Sequence, residues 1–108
     1  MTIAPKSQVL KMADLVSYQD GSVVSRQITK ADAGNVTLFA FDIGQELSEH
    51  TAPFDALVYV LDGTAQVSIS GQPYSLGTGD AIVMPANQPH AVHAPARFKM
   101  VLTMLRSA

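Results

Sequence analysis

The sequence predicts an all-β protein, a sandwich or barrel of short strands, and three observations carry the prediction. Apolar residues fall in short runs, several in strict alternation, bounded by Gly, Pro, Asn and Asp. Turn signals recur every several residues along the whole chain. No stretch combines helical periodicity with capping residues over the length a helix needs. About nine strands at this spacing suit a double-sheet jelly roll.

Residues 1–10 carry Pro5 and no period, and they read as an arm that frays or lies on a neighbour. Leu15 to Tyr18 and Val23 to Thr29 are expected as the first two strands, joined at Asp20-Gly21, a dipeptide suited to a hairpin turn. Val36 to Ile43 is apolar on both faces and is expected to be covered on both. His50-Thr51 and Ala56 to Asp62 flank Pro53, which cannot donate to a ladder and belongs at a break, bulge or edge.

Thr64 to Ile69 alternates, with Ala65, Val67 and Ile69 on the buried face. Ser70-Gly71 turns the chain into a short return strand, Gln72 to Leu76, which Gly77 and Gly79 end. Ala81 to Met84 stops at Pro85, His90 to Ala94 follows, and Phe98 to Leu105 closes the series. In the last strand Phe98, Met100, Leu102 and Met104 share one face.

At 108 residues the chain reads as a single domain, residues 1–108, with one core. The net charge is −2 and the seven Lys and Arg are scattered, so the basic footprint of a nucleic-acid binder is missing. With no cysteine, disulfides, thiolate metal sites and cysteine nucleophiles are excluded, and any metal takes nitrogen or oxygen ligands. No apolar run approaches the roughly 20 residues that span a bilayer, and the N-terminus lacks a signal-peptide pattern. The expectation is a cytoplasmic protein with no membrane partner.

All three histidines, His50, His90 and His93, lie in two segments, Gly44–Gly63 and Gly79–His93. These segments resemble the two motifs of the cupin family, G-x5-H-x-H-x3,4-E-x6-G and G-x5-P-x-G-x2-H-x3-N. Gly44, His50 and Gly63 keep the first register, while Ala52 and Ala56 stand at the second histidine and the glutamate. Gly79, Pro85 and His90 keep the second, with Asn87 for the glycine and Ala94 for the asparagine. The resemblance covers Val36 to Leu105 and is similar in outline to small stand-alone bacterial members. It implies a double-stranded β-helix, the jelly-roll barrel of cupins, with a pocket between the sheets. In the family the four ligand positions hold one divalent transition metal. Two survive here, so the resemblance makes His50 and His90 the candidate metal ligands.

Asp55 adjoins the family's glutamate position and is a weak further ligand candidate, provided the Pro53 bend shifts the register by one residue. His93 differs in parity from His90 and is expected on the other face. Glu46 and Glu49 read as solvated loop residues. Phe54 and Met84 abut the motifs and are candidate ligand-binding residues together with His50 and His90. Met100, Met104 and Phe39 or Phe41 are further candidates for a small apolar cavity.

No Ser-His-Asp set, carboxylate pair or phosphate loop is present, and no catalytic residue is assigned. Two functions of different class remain open. One is a barrel that binds an unidentified small molecule; the other is a metal-dependent enzyme, an oxygenase or isomerase, with an altered ligand set. A homodimer is expected, because strands apolar on both faces exceed what so short a chain covers by itself.

Overall fold

The computed structural model describes residues 3–106. Nine strands form two antiparallel sheets: β1 (Val23–Ala31), β2 (Gly34–Phe41), β3 (Glu46–His50), β4 (Phe54–Gly63), β5 (Ala65–Ile69), β6 (Gln72–Leu76), β7 (Ala81–Met84), β8 (His90–His93) and β9 (Phe98–Arg106). The sheet orders are β1-β2-β9-β4-β7 and β3-β8-β5-β6. Consecutive strands repeatedly change sheets, as a jelly roll requires, so residues distant in sequence become neighbours across the interior. The remaining regular element among the described residues is a single 3-10 turn, Met12–Asp14.

Alternation produces the core. On β4, Ala56, Val58 and Val60 point inward and are buried while Asp55, Leu57 and Tyr59 are exposed. Ala65 and Val67 of β5, Val92 of β8, and Phe98 and Met100 of β9 close the same core. The Phe41 and Phe98 rings stack inside it with centroids 4.5 Å apart, a contact worth about 0.5–1.5 kcal/mol beyond the area buried.

The first expected hairpin is corrected. Leu15 to Tyr18 is not a strand, and Asp20-Gly21 makes a turn with Ser22 N–H donating to the Gln19 carbonyl, without pairing two strands. Instead Met12, Leu15, Val16 and Tyr18 lie on the outer face of the five-stranded sheet, against Leu38 and Ala40 of β2 with Leu61 and Val101. The second apolar face of β2 is thus covered by the chain itself at Leu38 and Ala40.

Polar contacts hold this covering segment. Lys99 Nζ donates to the Ala13 carbonyl at 2.6 Å, Tyr18 Oη donates to Asp62 at 2.6 Å, and Arg97 bridges Asp20 and Asp42. Burial, reinforced by Asp62, raises the Tyr18 phenol well above its ordinary pKa. The Arg97 guanidinium and the Gly21 N–H hold Asp42 down at about 2. Of the proposed arm, residues 3–10 contain no regular element but bury Ala4, and residues 1–2 lie outside the described residues.

Gly63 ends β4 at a φ of +84°, and a Cβ there would collide with the Arg97 carbonyl oxygen and the Phe98 backbone. Glycine is therefore required by both conformation and space at the end of the first motif.

Candidate functional site

The site lies between the sheets, where β3 and β8 run side by side. Glu46 pairs with His93 and Leu47 with Val92, but the next pair is His50 with His90, so β3 carries one residue more than β8 over this interval. That bulge decides the chemistry. Leu47 points into the barrel, and strict alternation would send His50 outward; the extra residue returns the His50 side chain to the inner face.

Both imidazoles are oriented by the backbone of their own segments. His50 Nδ1 lies 2.8 Å from the Ser48 carbonyl, and His90 Nδ1 lies 3.2 Å from the Gln88 carbonyl. A carbonyl only accepts, so each Nδ1 carries the hydrogen, and in the neutral rings each Nε2 presents a lone pair. These two Nε2 atoms stand 3.2 Å apart. The ring centroids are 4.4 Å apart with planes inclined by 70°, so the rings meet at an angle rather than end to end.

Two facing lone pairs are satisfied only by a species between or above them: a proton, a hydrogen-bond donor or a cation. His90 is 4% exposed, whereas His50 is exposed and stands at the mouth. Burial first, and then the neighbouring His50, hold the His90 imidazole below its ordinary pKa, against the opposing pull of the Gln88 carbonyl.

Behind the pair is a cavity of about 50 Å³ lined by Leu47, His50, Ala56, Met84, His90, Val92, Met100, Leu102 and Met104. A water occupies about 30 Å³ of the liquid, so the space admits one or two waters, an ion, or the tip of a larger molecule. Met84, Met100 and Met104 stand where the sequence placed them; Leu47, Val92 and Leu102 were missed as cavity residues. Leu102 shares the inward parity of Met100 and Met104, which was the available signal, whereas the facing of Leu47 depends on the β3 bulge.

Other candidates lie elsewhere. Phe54 is half-buried outside this cavity, with the Arg106 guanidinium 5.5 Å from its ring centroid. Asp55 is exposed and accepts a hydrogen bond from Ala86 N at 2.9 Å; the register of β4 runs unbroken from Phe54 to Val60, so no slip brings its carboxylate to the histidines. His93 faces outward as expected, its Nδ1 3.6 Å from Glu46 Oε2.

Residues 37–105 match the family model described as the cupin domain. The chain belongs to the cupin family. A Streptococcus pyogenes protein of unknown function is 32% identical, with a TM-score of 0.91 over 100% of this chain and 97% of that one. A cupin superfamily protein from Desulfitobacterium hafniense is 28% identical, with a TM-score of 0.90 over 98% and 97% of the two chains. A cupin 2 conserved barrel domain protein from Leptotrichia buccalis is 38% identical, with a TM-score of 0.87 over 90% of this chain and 47% of that one. No curated protein matches the chain.

Within this cupin the departures from the family motif acquire physical reasons. Asn87, at the second motif's glycine position, adopts a φ of +65° and donates its N–H to the Ala52 carbonyl at 2.8 Å. Asparagine is among the few side-chain-bearing residues that tolerate this conformation, so the turn survives. Ala56, at the glutamate position, lines the cavity and leaves open the space a carboxylate would fill.

The donor set fits a cation only in part. Metal–imidazole bonds of about 2.0–2.1 Å allow one ion to reach both Nε2 atoms. Among the described residues no group of three or more His, Cys, Asp or Glu gathers to hold an ion. His50 and His90 therefore suit a weakly held cation with water in its remaining positions.

Proposed function

We propose that this cupin is a small-molecule-binding barrel whose His50–His90 pair receives the polar end of the bound species, with a divalent transition metal as its cofactor. The reading rests on one observation: both Nδ1 atoms are engaged by carbonyls, which turns two Nε2 acceptors toward the same small space. His50 and His90 would hold the ion, and when bound it supplies Lewis acidity at the mouth of the methionine-lined cavity. The apolar lining of Met84, Met100 and Met104 accepts the less polar part of the ligand and keeps bulk water out.

A second reading, a metal-dependent oxygenase or isomerase, draws support from Ala56: with no carboxylate there, positions around an ion remain open to substrate. Calorimetric titration of tag-free protein with Zn²⁺, Ni²⁺ and Mn²⁺ tests the site. The expected result is one ion per chain, abolished by His50→Ala or His90→Ala with the circular dichroism spectrum retained. Binding that survives both substitutions would reject it.

A further inference from the structure

The wall that faces the two histidines offers sulfur where the family motif has a carboxylate. On the five-stranded sheet Ala56 of β4 pairs with Met84 of β7 on one side and with Met104 of β9 on the other. The three residues form one row, and all three line the cavity behind the imidazoles. Directly opposed side chains on a sheet start about 5 Å apart at Cβ, and an unbranched methionine turns about three bonds, so both thioethers reach the space that Ala56 leaves open. Among the described residues that line the cavity none is an acid, and the chain has no cysteine.

The angle at a shared ion adds a constraint. Two Nε2 atoms 3.2 Å apart, each about 2.0–2.1 Å from the ion, meet it at an N–ion–N angle of about 100–105°. That angle is close to tetrahedral and far from linear, so positions remain open on the ion. The imidazoles come from the four-stranded sheet and Met84 and Met104 from the five-stranded sheet across the interior. Each wall thus supplies two donors.

Charge decides which ion. Imidazole and thioether are both neutral, and the cost of taking an ion out of water grows with the square of its charge, so a dication costs about four times as much as a monocation, with no anion here to offset it. Thioether sulfur is a soft donor that favours Cu(I), and imidazole also suits copper.

We infer that the ion this cavity selects is monovalent copper, Cu(I), held by Nε2 of His50 and His90 and by the sulfurs of Met84 and Met104, an inference that rests on the histidine pair holding a cation. The alanine at position 56 is then what gives the two sulfurs access to the ion, and Met100, on the same wall but paired with Val60 farther along β4, is lining and not a ligand.

Competition with bicinchoninate in ascorbate measures Cu(I) affinity, and calorimetry measures Zn²⁺ affinity, on the same tag-free protein. Cu(I) is expected to bind about a hundredfold or more tightly than Zn²⁺. Met84→Leu and Met104→Leu conserve volume and should each lower Cu(I) affinity by about tenfold or more, while Met100→Leu leaves it unchanged and Zn²⁺ affinity is unchanged in all three. His50→Ala should abolish the binding of both ions. A second measurement needs no variant and decides if the leucine variants fail to fold. In protein carrying ¹³C-methyl methionine, one equivalent of Ag(I), a soft and air-stable monocation, should shift the Met84 and Met104 methyl signals together with both Nε2 signals, and Met12, on the outside of the sheet, should stay unchanged. Zn²⁺ bound more tightly than Cu(I), Cu(I) affinity indifferent to Met84→Leu with Met104→Leu, or Met84 and Met104 methyl signals that ignore Ag(I) would overturn the assignment. Zn²⁺ binding that His50→Ala abolishes would in those cases leave the paired-histidine cation site standing, whereas a protein that binds neither ion would remove both.

Discussion

The Nε2 atoms of His50 and His90 meet at 3.2 Å because β3 holds one more residue than β8 between the Leu47–Val92 and His50–His90 pairs. Deleting Glu49 alone leaves His50 two residues after Leu47, on the same inner face and still opposite His90, so metal binding should be kept with the sheet retained. Deleting Ser48 and Glu49 together puts His50 directly after Leu47, on the outer face, and metal binding should be lost by at least tenfold. Titration calorimetry and circular dichroism check both variants. Full affinity in the double deletion would show that the facing of His50 does not set the site.

Acid should weaken the metal-free protein through His90. Its folded pKa lies below the ordinary value of 6.5 because burial and His50 oppose the charge. As pH falls through about 6.5 the unfolded chain takes up this proton first, so the stability that is full above that value declines toward the lower folded pKa. Asp42, held at about 2 against an ordinary 3.8, loses its contribution only below about pH 4, so the two windows are separate. Melting temperatures recorded from pH 5 to 8 should fall with acid in the wild type and fall less in His90→Gln. Equal slopes would remove His90 as the cause.

Restoring the family carboxylate should strengthen the site. Ala56 already lines the cavity beside both histidines, so Ala56→Glu places a third donor without re-aiming a strand. Affinity for a divalent transition metal should rise at least tenfold, at some cost in stability to the metal-free protein from the buried carboxyl. The same titration reads the outcome, and unchanged affinity would mean that the two imidazoles do not share an ion.

The turns on either side of the site should respond differently to one substitution. Gly63→Ala meets both a positive φ and the Arg97 carbonyl, and it should cost about 2 kcal/mol or more. Asn87→Ala meets only the positive φ and should cost about 1 kcal/mol, while Asn87→Gly should be nearly neutral. Urea unfolding of the three variants measures the order, and a Gly63→Ala cost below that of Asn87→Ala would contradict the collision.

Much of this was legible in the residues. Gln72–Leu76 and Ala81–Met84 have the expected bounds because turn residues close both ends of each. The outward facing of His93 followed from parity with His90, and the buried face of β5 from alternation. Leu15 to Tyr18 misled because apolar residues that strap a sheet and those that join it satisfy the same local pattern; only the tertiary contact with Leu38 and Ala40 separates them. Asp55 would reach the histidines only through a slip of register, and the unbroken ladder with β9 from Phe54 to Val60 fixes its facing outward. The bulge before His50 has no glycine or proline to mark it, since the break lies among Ser48 and Glu49.

Histidine ring-nitrogen NMR during addition of Zn²⁺ to tag-free protein tests the central claim most directly. Before metal, His50 and His90 should both show protonated Nδ1 and unprotonated Nε2 near pH 8. As one equivalent is added, both Nε2 signals should shift together while His93, outside the barrel beside Glu46, stays unchanged. Protonated Nε2 on both rings, or a response confined to His93, would contradict the account.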